Sequence, residues 1–159
     1  MNNCEYSLCD AIDIIEEVLE NDGEFKISPK GTSMLPLIRQ GRDSVVLKRN
    51  FEKGALKHDI AFYKRTSGAF VLHRVMKIAK DGTYVMCGDN QIYLERGIED
   101  SQIIGVMSAL YKKDRLFDQN KLSHKLYRAL WCNITIRKMI RFPKRCVNKL
   151  LRILKISKK

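Results

Sequence analysis

Three side chains in the 159-residue sequence are of the types that acyl-transfer chemistry needs. Ser33 stands in Gly31-Thr32-Ser33-Met34-Leu35-Pro36, a turn constrained by glycine before it and proline after. His73 stands in Val71-Leu72-His73-Arg74-Val75, inside a strongly apolar run, and Asp89 in Cys87-Gly88-Asp89-Asn90, at the end of the next one. A serine hydroxyl is a poor nucleophile until a neighbouring base takes its proton. A histidine titrates near neutrality and can take that proton, and a carboxylate can hold the ring in the required tautomer. Singly, each residue has a plainer reading: Ser33 as a turn brace, His73 as a satisfied core histidine, Asp89 as a turn former. Met34 reads as a wall residue, since a thioether does no acid–base work. No metal or cofactor is expected. The five cysteines (Cys4, Cys9, Cys87, Cys132 and Cys146) are odd in number and lack C-x-x-C spacing, and three histidines supply no zinc pattern. Free thiols in a reducing compartment follow.

The elements that must position these residues can be read from periodicity. Leu8, Ile12, Ile15 and Leu19 recur at helical spacing, with Ser7 as a cap, Asp10 as its short capping-box partner, and Asn21-Asp22-Gly23 as the stop. From residue 24 to about 110 the pattern changes to short strands: 25–27, 44–48 (SVVLK), 60–64 (IAFYK), 70–78 (FVLHRVMKI), 83–87 (TYVMC) and 103–110 (IIGVMSAL). Thr66-Ser67-Gly68 and Asp81-Gly82 read as hairpin turns. Close turns between short strands predict a compact, coiled β domain. After Asp118 the helical period returns in Leu122, Leu126, Ala129 and Leu130. Pro143 then precedes an amphipathic helix with Lys144, Arg145, Lys149, Arg152 and Lys155 on one face. The expected class is mainly β (α+β overall): an acidic N-terminal helix in 1–24, a β domain in 25–112 and a basic helical tail in 113–159.

These residues carry a resemblance. Ser33-Met34-Leu35-Pro36 resembles the S-M-x-P box around the nucleophile of signal peptidase I. His58-Asp59-Ile60-Ala61-Phe62 is similar to that family's G-D-I-V-x-F strand, with His58 where the family has glycine. Val71-Leu72-His73-Arg74-Val75 resembles the box of the general base, Gly88-Asp89-Asn90 the G-D-N box, and Ile103-Ile104-Gly105-Val106 the closing I-x-G-x-V strand. The boxes lie in the family's order between about residues 27 and 110. The bacterial enzymes and the related LexA-like autoproteases use a lysine base. His73-Arg74-Val75 is similar instead to the histidine type of archaea and the endoplasmic reticulum. The resemblance implies a signal-peptidase/LexA-like coiled β domain with Ser33 as nucleophile, His73 as base and Asp89 orienting His73. Glu95 falls where the histidine type carries a second acid, and Thr32, Met34 and Glu95 would accompany the substrate or oxyanion. Gly31 stands where many members carry a hydroxyl, so the Ser33 N–H is expected to stabilise the oxyanion, with Thr32 nearby.

Charge sets the remaining expectations. The chain carries +12, yet residues 119–159 hold thirteen Lys/Arg and no acid, while everything before them sums to about −1. The basic character thus belongs to the tail, not to the fold. The tail has three readings: a solvated helix pair packed on the β domain, a dock for an anionic membrane surface, or a non-specific phosphate binder. Each Lys or Arg near an anionic leaflet contributes about 1 kcal/mol. No reading motif accompanies the charges, so nucleic acid is not expected as a partner. No signal peptide or membrane span is expected, which makes the placement cytoplasmic, with membrane association on the cytoplasmic face through the tail. The function that follows is a serine endopeptidase acting on a peptide or protein substrate. A LexA-like self-cleaving regulator is a variant, for which the residues before Ser33 leave room for only one acidic helix. The alternative class is a non-catalytic β binding module with a membrane- or nucleic-acid-binding tail.

Overall fold

The apolar spacing of the N-terminal segment produces α1 (Leu8–Glu20), in which Ile12, Ile15 and Leu19 are buried while Asp13, Glu17 and Glu20 face solvent. The stop at Asn21-Asp22-Gly23 has a steric cause. Asp22 adopts φ 57°, and the Gly23 N–H closes the helix by donating to Val18 O at 2.9 Å. A Cβ on Gly23 would lie 2.5 Å from that oxygen, so only glycine completes the turn. The computed structural model describes residues 8–49, 54–119 and 121–139; the expected cap at Ser7 lies outside them.

Among the described residues eight strands follow: β1 (Glu24–Ile27), β2 (Asp43–Lys48), β3 (Ile60–Lys64), β4 (Phe70–Ile78), β5 (Tyr84–Cys87), β6 (Glu95–Ile98), β7 (Ile103–Lys112) and β8 (Arg115–Leu116). They form one sheet in the order β1-β2-β7-β3-β4-β5-β6, with β8 paired to β7, and all pairings are antiparallel. The protein is mainly antiparallel β with a few helices, as expected. Burial does not alternate along the central strands: Asp43 to Leu47 of β2 and Ile60 to Tyr63 of β3 are buried without interruption. Both faces of the sheet are therefore covered. On one face Ala61, Tyr63, Val75, Tyr84, Met86 and Ile98 form a continuous cluster. On the other, Leu19 of α1 packs on β7 at Gly105, where a Cβ would sit 3.0 Å from Leu19 Cδ1. Register shifts at Val46/Leu47, Phe62/Tyr63 and Val75/Lys77 interrupt the ladders of these strands.

The chain divides into two compact units, residues 1–119 and 120–159. α1 packs on β1 and β7, β8 pairs back onto β7, and the Phe117 N–H donates to Leu110 O. In the second unit α2 (Leu122–Trp131) stacks Tyr127 between His124 and Trp131, with ring centroids 6.1 and 5.3 Å apart. Asn133 Oδ1 then accepts from the Thr135 and Ile136 N–H groups and starts a further helical stretch at 134–139. The basic amphipathic helix expected after Pro143 lies outside the described residues. Among the described residues, no helix is long and apolar enough to cross a membrane.

Candidate active site

Ser33 follows β1 in a turn whose backbone is strapped to the segment after β5. The Asn90 N–H donates to Ser33 O at 2.6 Å, and Asn90 Nδ2 donates to Thr32 O at 3.0 Å. Gln40 Oε1 accepts from the Gly31 N–H at 2.6 Å on the other side of the turn. His73 lies in β4 opposite Ala61 of β3. Ser33 and His73 meet at Gly88. A Cβ at that position would stand 2.7 Å from Ser33 O and 3.0 Å from His73 Nε2, so a single added carbon would collide with the carbonyl and crowd the ring. Ser33, Met34 and His73 line one open cleft of about 250 Å³. No direct hydrogen bond joins the Ser33 hydroxyl to the ring.

Phe70, Val71, Leu72 and His73 all border this cleft, and Pro29, Lys30 and Gly31 form the facing wall. Successive strand residues point to opposite faces, so a cleft lined by four in a row runs along the strand's edge and not across its face. The pairing agrees: β5 joins β4 only from Arg74 onward, which leaves the second edge of residues 70–73 without a ladder partner among the described residues.

Behind the ring lies a polar relay. Tyr63 and Val71 are cross-strand partners, as are Ala61 and His73, which sets the Tyr63 and His73 rings diagonally on one face with centroids 6.2 Å apart. The Tyr63 hydroxyl donates to Glu95 Oε2 at 2.8 Å. Arg65 donates from Nε and Nη2 to the two Glu95 oxygens at 2.8 and 2.6 Å. Burial alone would raise the Glu95 carboxyl, but the hydrogen bonds from Arg65 and Tyr63 hold it below the usual range. Tyr63 has one proton and gives it to Glu95, so in its 3.3 Å contact with His73 the phenol oxygen accepts from Nδ1–H. The neutral ring therefore carries its lone pair on Nε2, the nitrogen next to Gly88. Burial first, then the positive charge of Arg65, push His73 down to about 4, against the smaller opposing influence of Glu95 and Asp89. At neutral pH the ring is a free base.

The sequence-predicted residues are distributed differently from expectation in two places. No hydrogen bond joins Asp89 to His73. Its fully buried carboxylate takes a two-point contact from Arg74, Nε to Oδ1 at 2.8 Å and Nη2 to Oδ2 at 2.7 Å, while Arg74 Nη1 donates to His58 O. The reason is alternation: Gly88 abuts the His73 side, and Asp89, one residue on, meets the Arg74 side, where a planar guanidinium fits both oxygens. Glu95 stands behind the ring and reaches it through Tyr63. Thr32 is exposed and contributes its carbonyl to the Asn90 strap, and Met34 is a buried cleft wall. Sequence reasoning missed Tyr63 and Arg65. Once 60–64 and 70–78 are taken as a hairpin, the register that sets Tyr63 beside His73 could have been written down.

Neither a scan against protein-family models nor searches of curated proteins and of solved structures returns a match to this chain.

Proposed function

We propose that this chain is a serine endopeptidase of the signal-peptidase-like, histidine-base type, built on a coiled β domain of that kind. The observation that carries the proposal is that Ser33 and His73 line one open cleft, while the Ser33 carbonyl and the bare Nε2 of His73 both close on Gly88 beneath it. The backbone at residue 58 supports the resemblance further. His58 adopts φ 78°, a conformation that favours glycine, at the position where the family's strand box carries one.

In this reading an extended peptide adds to the free edge of residues 70–73. Ser33 Oγ attacks the scissile carbonyl carbon and its proton passes to His73 Nε2. The imidazolium so formed keeps its Nδ1–H on Tyr63, whose hydroxyl is tied to the Glu95 carboxylate. His73 then gives its proton to the leaving amine, and water hydrolyses the acyl-enzyme by the same route in reverse. Gly31 N–H is already bonded to Gln40, so the oxyanion falls to the Ser33 N–H. The basic segment 119–159 holds the enzyme at an anionic membrane on the cytoplasmic face, a reading supported by thirteen cations without an acid.

A fluorophosphonate probe tests the proposal. Labelling is expected at Ser33, found by peptide mass mapping, absent in Ser33→Ala and nearly absent in His73→Ala. A chain that stays unlabelled at Ser33, or is labelled equally without His73, is not this enzyme. The missing direct bond between Ser33 and His73 favours a second reading, a non-catalytic module that holds a peptide at the same edge, and that module would take up no probe. Gly88→Ala supplies a finer check. The added methyl must displace the Ser33 carbonyl or the ring, and misplacement by about 1 Å costs about 100-fold in turnover. Cleavage should fall by that order, and the overpacking at this buried glycine should also lower the thermal midpoint.

A further inference from the structure

A second cavity of about 210 Å³ opens beside the cleft, and Pro29, Lys30, Phe70 and Leu72 line both. Its remaining walls are apolar: Ile12 and Ile15 from α1, Ile27 at the end of β1, and Phe62 of β3, with the exposed Ser28 at the rim. Phe62 and Phe70 stack across β3 and β4 with centroids 6.0 Å apart. An apolar cavity of about 150 Å³ accommodates a benzene ring, so this one has room for a leucine- to phenylalanine-sized side chain.

The pairing of β4 says which side chain reaches it. Leu72 lies opposite Phe62 and Phe70 opposite Lys64, so residues 70 and 72 project to the α1 face, while Val71 and His73 project to the Tyr63 face. A peptide strand added along the edge of residues 70–73 follows the same alternation, and a residue paired with Leu72 points where Leu72 points. We propose that the cavity under α1 is a specificity pocket for one large apolar side chain of the peptide substrate, carried by the residue that pairs with Leu72. The inference rests on the peptidase reading for its substrate and adds the side-chain class. It also gives the acidic helix a part in recognition, since α1 supplies one wall of the pocket. Lys30 is the one cation at the rim among the described lining residues, so a lysine or arginine in that position is disfavoured.

The test is a set of otherwise identical peptides with leucine, phenylalanine, alanine or lysine scanned through the positions flanking the cleaved bond. At one position leucine or phenylalanine should exceed alanine by at least tenfold in kcat/KM, with lysine poorest. Ser28→Phe, which fills the pocket from its rim, should bring that leucine-to-alanine ratio close to one. Cleavage with no position preferring a large apolar residue overturns the pocket and leaves the peptidase reading standing. If the wild-type chain cleaves none of the peptides, the peptidase reading falls, and binding to Ser33→Ala decides the pocket by itself. Methyl resonances of Ile12 and Ile15 that shift with the leucine peptide but not with the alanine peptide support it; methyls that ignore both overturn it.

Discussion

Exchanging His73 for glutamine is expected to lower Ser33-dependent peptide cleavage by about 10⁴-fold or more, because loss of the base leaves only binding and oxyanion contacts. The pH profile separates this role from a packing role. In the proposed mechanism the base is the neutral ring, whose titration burial and Arg65 push down to about 4. The rate should climb as pH rises through about 4 and then run flat to neutrality, and the residual activity of His73→Gln should lack that limb. Stability moves in a linked way. The unfolded chain binds a proton at a histidine near pH 6.5, whereas the folded one resists it down to about 4. Between those values the unfolded state holds more protons, so wild-type stability is full above about 6.5 and falls as the pH drops toward 4. The loss is on the order of 3 kcal/mol, and His73→Gln should remove that slope. Stopped assays across pH 3.5–8 and urea melts at pH 4.5 and 7 measure the two effects. A variant cleaving within tenfold of the wild type would mean that His73 is not the base.

The relay behind His73 decides which nitrogen of this buried ring carries its proton. Each partner has one role that follows from proton counting: Arg65 keeps Glu95 ionised, Glu95 takes the Tyr63 proton, and Tyr63 takes Nδ1–H. Only the last of these contacts involves the ring. Glu95 thus holds the tautomer at one remove, which lets its charge stay near the more exposed Arg65 while the ring remains in the interior.

What is legible in the sequence, and what is hidden there, divides along this same line. β3 and β4 can be read end to end because apolar and β-branched runs are bounded by Thr66-Ser67-Gly68. β6 (ERGI) escapes such a reading, since two charges and a glycine give it no alternation, and its pairing with β5 rests on two register partners. β8 is too short for any period. Ser33 and His73 are recognisable because their local boxes restrict backbone and burial. Asp89 meets a partner other than the expected one because Gly88-Asp89-Asn90 does not say which of the adjacent residues 73 and 74 each side chain will face. Only the β4–β5 register, with Arg74 opposite Cys87, decides that. Tyr63 is hidden for a related reason: its role exists across strands and leaves no trace in linear spacing.

Removing one member of the Arg74–Asp89 pair should have the largest effect on the fold itself. Both side chains are almost wholly buried, at 3% and 0% exposure, and they meet through two short contacts. Deleting the guanidinium in Arg74→Ala leaves a carboxylate in the interior without its counter-charge, which costs about 3–5 kcal/mol. For a domain of this size the thermal midpoint should drop by roughly 10–20 °C. Asp89→Asn should lose a similar amount, since it takes the counter-charge from the buried arginine instead. The pair is costly to break, yet an apolar replacement of both partners is often neutral. Arg74→Met combined with Asp89→Leu should therefore recover most of the lost stability, and a double-mutant cycle should give a coupling of at least about 2 kcal/mol. Activity should not return with it. Asp89 sits between Gly88, which abuts the ring, and Asn90, which straps Thr32 and Ser33, so its contact with Arg74 fixes the lateral position of both. A leucine there can fill the volume but has no directional bond with which to hold Gly88 and Asn90 in place. If the double variant regains full cleavage along with its stability, the pair serves packing alone. If the single variants melt within a few degrees of the wild type, its charges do not depend on one another.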